Sequence, residues 1–374
     1  MNCRPKQVIR ERKDIHMEIG KLDRNLHITS TITDKDLLFR DVQELGFGLH
    51  GLCGPGYRRM PADTAALVSD GVARLSLHTA GGRLRFVTDS DCVAIRTVQH
   101  TKHLMTHMTF VGSSGFDLYV RCDDRDVFCG SFLPPLDRED GYESVLNFPT
   151  RSLRQFTINF PLYDGVDGLE LGLRRDAVLQ PAPDYRIKTP VVFYGSSITQ
   201  GGCASRPGNS YEAMLSRWLD FDYVNLGFSG NAKGEAEMAQ YISKLDMSAL
   251  VIDYDYNAPD ADHLRRTHEP FFSIIRQSRP ELPVLILPNS HNAVWPEKRR
   301  TLKERRDIVR QTFENACAAG DRQVYWMEGS DFSASFDGPE GTVDGVHPND
   351  LGFYCMAKTI RPVLAQMLDI HEKL

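Results

Sequence analysis

Long hydrophobic runs are missing from this sequence: no segment approaches the ~18 uninterrupted apolar residues of a membrane span. The opening MNCRPKQVIRERKDIH is charged and has no apolar core, so it does not read as a secretory signal. Cysteines are scattered (Cys3, Cys53, Cys92, Cys122, Cys129, Cys203, Cys317, Cys355) and never form a C-x-x-C pair. That spacing argues against a disulfide framework and against a zinc cluster, and makes reduced thiols in a cytoplasmic protein the expectation. A basic excess is missing too. Lys and Arg number 44 against 50 Asp and Glu, a net charge of −6, so there is no nucleic-acid footprint. The basic stretch Lys298–Arg306 is interleaved with Glu304 and reads as the wet face of a helix.

What is present divides into two grammars. The 374 residues suggest two domains, at roughly 100–200 residues each. From about Asn25 to Arg175 short β-rich runs alternate with Gly, Asp and Pro turns: Leu84–Thr88, Val93–Val98, Phe116–Val120, Phe156–Phe160, Leu169–Leu173. Such spacing predicts a β-sandwich, while Lys21–Phe47 shows no clear period. A Pro-rich break at Leu179–Asp184 marks the expected boundary. Residues 1–180 are expected to form a jelly-roll-like sandwich, and 185–374 a second domain. Beyond the break, apolar strands at Val191–Tyr194, Tyr223–Leu226, Ala249–Asp253, Val284–Leu287 and Val324–Met327 alternate with helical patterns, the last of them Asn349–Leu368. That run predicts an α/β, flavodoxin-like, doubly wound parallel sheet. Ligands on such sheets sit at the carboxyl ends of the strands.

Four segments stand at those ends. Gly195-Ser-Ser-Ile-Thr-Gln-Gly-Gly202 lacks both phosphate-loop patterns. It could be a serine-capped turn, or a turn that exposes a serine hydroxyl. Asn225–Asn231 is glycine-rich, which lets a backbone N–H approach a ligand closely. In Asp253–Asp260 the acids do not follow an EF-hand spacing, and Asn257 can donate its side-chain amide. Finally, Asp344 precedes His347 by one turn, so the carboxylate can fix one imidazole nitrogen and leave the other as a base.

Taken together, these segments resemble the SGNH (GDSL-type) hydrolases. The resemblance implies Ser197 as nucleophile with Asp344 and His347 as its triad partners. It also implies an oxyanion hole made by Ser197, Gly230 and Asn257. Three departures accompany it. Ser196 replaces the acid before the nucleophile, Asp255-Tyr-Asn-Ala258 replaces Gly-x-Asn-Asp, and Gly227 competes with Gly230. Gly115-Phe-Asp-Leu-Tyr119 is similar to the G-x-D-L-Y signature of an N-terminal sandwich found ahead of one branch of that family. By signature, Asp117 and Tyr119 become substrate-contact candidates, although an ordinary strand would explain them equally. His291 and Trp295 follow the fourth strand and are further candidates for the pocket.

The resemblance implies a serine esterase for short acyl groups, with acetyl on carbohydrates the expected substrate and no metal or organic cofactor. An oligosaccharide or small-molecule ester is the expected partner; neither nucleic acid nor membrane is. An acyltransferase or thioesterase with the same triad, and a decayed sugar-binding module, remain open alternatives.

Overall fold

The computed structural model describes residues 31–54, 56–289, 295–333 and 338–371. In the first half the elements run β1 (Leu37–Asp41), β2 (Leu49–His50), α1 (Ala62–Val68), α2 (Asp70–Leu75), β3 (Arg83–Thr88), β4 (Cys92–Val98) and α3 (Phe110–Ser114). Then follow β5 (Phe116–Cys122), β6 (Arg125–Phe132), β7 (Gly141–Asn147), β8 (Arg154–Asn159), β9 (Gly168–Arg174) and β10 (Leu179–Pro181). They form two antiparallel sheets, one ordered β1-β9-β4-β7 and the other β10-β3-β8-β5-β6, with β2 added beside β3. Alternate residues of both sheets meet in one core: Leu84 and Phe86, Val93 and Ile95, Phe116 and Leu118, Phe156 and Ile158, Leu169 and Leu171. This is the period of two that a sandwich requires.

Two features depart from the expected strands. Residues 62–75 are a pair of short helices joined at Ser69, whose hydroxyl accepts from the Val72 N–H. Their apolar face (Ala65, Val72, Leu75) packs into the core of the second half, beside Met238 and Ile242, so tertiary burial sets their conformation. The Pro-rich break is itself an edge strand. Leu179–Pro181 pairs with Phe86–Thr88, an edge being where a strand proline is tolerated.

The second half runs β11 (Ile187–Gly195), α4 (Ser197–Gln200), α5 (Tyr211–Leu219), β12 (Phe221–Gly227), α6 (Ala236–Lys244) and β13 (Ala249–Asp253). It continues with α7 (Ala261–Ser278), β14 (Val284–Ile286), α8 (Pro296–Ala318), β15 (Val324–Trp326) and α9 (Asp350–Met367). All five strands are parallel, in the order β12-β11-β13-β14-β15. Val191 and Phe193 face α5 and α9, whereas Val192 and Tyr194 face α6, α7 and α8. The strands are therefore apolar on both faces, as a doubly wound sheet demands. Its strand order reverses beside β11, so the crevice opens at Gly195. Among the described residues no helix is long and apolar enough to cross a membrane.

Candidate active site

β11 delivers Ser197 through a tight turn that opens on a glycine. A Cβ at Gly195 would collide with the Thr199 hydroxyl and the Asp253 carbonyl. Ser196 caps α4, its hydroxyl accepting from the Ile198 N–H at 3.2 Å. The residue that replaces the family's acid thus serves as a normal N-cap. Gly201 ends this single turn at φ 96°, a left-handed conformation suited to glycine. Tyr163, from the first half, donates its hydroxyl to the Ser197 carbonyl at 3.2 Å.

The loop before α9 closes on itself. Thr342 bridges to Pro348, and the Val343 N–H donates to the His347 carbonyl at 2.9 Å. Within it, Asp344 Oδ1 accepts the N–H groups of Val346 and His347 at 2.9 and 2.8 Å, while Oδ2 lies 2.7 Å from His347 Nδ1. Burial opposes ionisation of Asp344, but the backbone N–H and imidazole of His347 outweigh it and hold the carboxyl down at about 2. The other imidazole nitrogen, Nε2, lies 2.8 Å from Ser197 Oγ. Asp350, opening α9, accepts from the N–H and hydroxyl of Ser205 at 2.9 and 2.5 Å, which ties this loop to the chain following Ser197.

Two glycines competed at the second strand end, and their backbones differ. A Cβ at Gly227 would strike the Gln200 backbone of α4, and the Gly227 N–H is already donated to Asn225 Oδ1 at 2.9 Å. Gly230 has φ 68° and open space around its α-carbon. Among the described residues neither its N–H nor that of Ser197 donates to a protein acceptor. Asn257, in a 3₁₀ turn after β13, gives one amide hydrogen to the Phe228 carbonyl at 3.0 Å. Its second amide hydrogen has no acceptor among the described residues.

Several neighbours escaped the sequence. Gln200 Nε2 donates to the Leu162 carbonyl and His78 Nδ1, both at 3.0 Å, and its Oε1 accepts from the Ser229 N–H at 3.0 Å. Burial, helped by Arg59, holds His78 down at about 3, so its Nδ1 is a neutral acceptor. His107 brings its ring to 5.6 Å from that of His347. Cys203 sits nearby at φ 77°, and burial followed by the charge of Asp344 pushes its thiol up to about 12. At neutral pH it is a thiol. Beneath the serine turn, Asp253 is buried near Asp255, which pushes it up to about 8.

Other expected residues lie elsewhere or serve differently. Asp117 is fully buried and accepts from Arg206, Gly208 and Asn159 at 2.8–2.9 Å. Tyr119 is buried too and bonds to Arg206. Both hold the loop after Ser197 against the sandwich, so neither has a polar atom to offer a substrate. Trp295 is 65% exposed just before α8. His291 lies outside the described residues. Asp255 Oδ2 accepts both the backbone and the side-chain N–H of Asn289, at 3.0 and 2.8 Å, while its Oδ1 is buried with no hydrogen-bond partner among the described residues. Arg305 belongs to the basic stretch read as solvated, yet it donates to the Asp255 carbonyl at 2.6 Å.

Comparison with known proteins completes the picture. Residues 188–365 match the GDSL-like lipase/acylhydrolase family, and residues 38–179 match the GxDLY N-terminus of SGNH-hydrolase-type esterases. No curated protein sequence matches this chain. Its structure is similar to that of a protein described as a GDSL-like lipase from Bacteroides ovatus, with a TM-score of 0.82 and 29% identity over 90% of this chain and 100% of that one. The salicylyl-acyltransferase of a tetracycline biosynthetic pathway shares the fold at TM-score 0.69 and 20% identity, over 91% of this chain and 96% of its own. So does an acetyl xylan esterase from the rumen bacterium Butyrivibrio proteoclasticus, at TM-score 0.55 and 12% identity, over 89% and 100%. With both halves matched, the chain belongs to the GDSL-like (SGNH) hydrolases, in the branch that carries a GxDLY N-terminal half, and is an esterase of that family.

Proposed function

We propose that this chain hydrolyses short acyl esters of carbohydrates, acetyl above all, through Ser197, His347 and Asp344. The observation that carries the reading is the unbroken relay from Ser197 Oγ to His347 Nε2 at 2.8 Å and from His347 Nδ1 to Asp344 at 2.7 Å. His347 Nε2 takes the hydroxyl proton as Oγ attacks the ester carbonyl, and Asp344 stabilises the imidazolium. The tetrahedral oxyanion is met by the N–H groups of Ser197 and Gly230 and by the second amide hydrogen of Asn257. Nε2 then protonates the departing sugar oxygen. Water, deprotonated by the same nitrogen, releases the acid from the acyl-enzyme.

Short acyl groups suit a serine that is only 9% exposed, its carbonyl held by the Gly202 N–H and the Tyr163 hydroxyl. The carbohydrate part draws on the shared fold with an acetyl xylan esterase. Hydrolysis of p-nitrophenyl acetate by wild type and by Ser197→Ala, each shown to be folded by circular dichroism, tests the mechanism. A folded Ser197→Ala that keeps the wild-type rate would refute it. Acetate release from acetylated xylo-oligosaccharides, set against long-chain esters, tests the substrate; activity confined to long chains would remove the sugar reading. Adding acceptor alcohols separates hydrolysis from acyl transfer by the products formed.

A further inference from the structure

His107, Cys203 and His347 each direct one ligand atom to a common point, all within 4.8 Å of one another. His107 comes from the irregular segment between β4 and α3, Cys203 from the loop after α4, and His347 from the loop before α9. Their chemistry is that of a soft-cation site, two imidazoles and a sulfur. Three further observations point the same way. Cys203 is a buried non-glycine residue at φ 77°, held in a region such residues rarely adopt. Its sulfur makes no hydrogen bond among the described residues. Asp344 occupies His347 Nδ1 and leaves the lone pair of Nε2, 2.8 Å from Ser197 Oγ, as the one a metal could take, the arrangement by which carboxylates orient metal-binding histidines.

We propose that these three residues bind a thiophilic divalent cation, Zn²⁺ being the probe of choice, and that its binding switches the esterase off. Tetrahedral zinc, with Zn–N of about 2.0–2.1 Å and Zn–S of about 2.3 Å, sets its ligands about 3.3–3.6 Å apart. Ligand atoms no more than 4.8 Å apart must therefore draw closer on binding, and His107, half-buried on its irregular segment, is one of the side chains that can move. On binding, both imidazoles give a lone pair, the thiol loses one proton to solvent, and water takes the fourth position. Inhibition follows because His347 Nε2 has a single lone pair. Given to the cation, it cannot take the proton of Ser197. The switch rests on the esterase reading above; the site does not.

Zn²⁺ titration calorimetry on the full chain tests the site. Wild type and Ser197→Ala are expected to bind one equivalent alike, and His107→Ala and Cys203→Ala at least about 10-fold more weakly. Cobalt(II) added to wild type is expected to give a thiolate-to-metal charge-transfer band, a readout that does not depend on how the variants fold. Affinity unchanged by both substitutions, or no such band, would overturn the site. In parallel, p-nitrophenyl acetate hydrolysis is expected to fall with Zn²⁺ in wild type, recover with EDTA, and resist Zn²⁺ in both variants. Full activity in zinc-saturated wild type would overturn the switch. A wild type inactive before any zinc is added would overturn the switch and the esterase reading together, with calorimetry still deciding the site.

Discussion

The guanidinium of Arg59, in the first half of the chain, donates to the carbonyl of Gly227, where β12 ends and the Gly230 loop begins. The same side chain donates to the Leu75 carbonyl at 2.6 Å and lies over the Phe228 ring at 4.6 Å. It is buried, and no carboxylate pairs with it among the described residues. Burial lowers its pKa to about 9, and carbonyl dipoles take the place of a counter-ion.

Arg59→Ala would leave the Gly227 and Leu75 carbonyls without this donor inside the protein. A loss of about 2–5 kcal/mol is expected, together with a lower kcat as the Gly230 N–H drifts from its place. Thermal unfolding and steady-state kinetics on acetyl esters measure both. An unchanged Tm with unchanged kcat would detach Arg59 from the site.

The two glycines of the second strand end should separate cleanly. Gly227→Ala forces a methyl into the backbone of α4, an overpacking expected to cost about 3 kcal/mol or more, and to disturb Ser197 with it. Gly230→Ala meets open space and suffers only its left-handed φ, about 1–2 kcal/mol. The larger Tm loss is therefore expected at Gly227. The reverse order would mean that the close approach of β12 to α4 is not what selects glycine there.

Asp344→Asn is expected to lower kcat by about 10⁴-fold with the fold intact, because an amide no longer fixes the imidazole tautomer. The carboxyl of Asp344 stands at about 2 in the folded chain against an ordinary 3.8. Its stabilising contribution is thus complete above about pH 4 and is lost as the pH falls towards 2. Any acid limb of kcat/KM above about pH 4 belongs to another group. A limb in that range that vanishes in Asp344→Asn and leaves the rate high would contradict this assignment.

Asp253 works in the opposite sense. Burial and the neighbouring Asp255 raise it from 3.8 to about 8. The folded chain therefore holds a proton that the unfolded chain releases, and this contribution fades as the pH rises from about 4 through 8. Asp253→Asn, neutral at every pH, is expected to gain in Tm over wild type across that interval. Parallel Tm profiles for the two proteins would show that Asp253 is ionised when folded.

Much of the second half was legible because its signals are local. Val191–Tyr194 and Ala249–Asp253 are apolar on both faces, and Asp344 and His347 share one turn, so chain spacing alone brings them together. The first half was legible only where alternation was strong. β6 has a single buried residue, Phe132, and carries a register shift against β5, so it shows no clean period. α1 and α2 owe their burial to helices of the other half, which no local window contains. His107 and Arg59 were invisible for the same reason. Each reaches the site across the junction between the halves, which Tyr163 and Gln200 also span, through the Ser197 and Leu162 carbonyls.

The closed loop from Thr342 to Pro348 has a mechanical consequence. Asp344 grips both the backbone and the ring of His347, so acid and base travel as one rigid part. The assembly then has a single joint, between His347 and Ser197, in place of two. On the proposed mechanism a displacement of that loop interrupts the proton relay in one step, and the two hydrogen bonds from Ser205 to Asp350 tie the loop's end to the chain after Ser197.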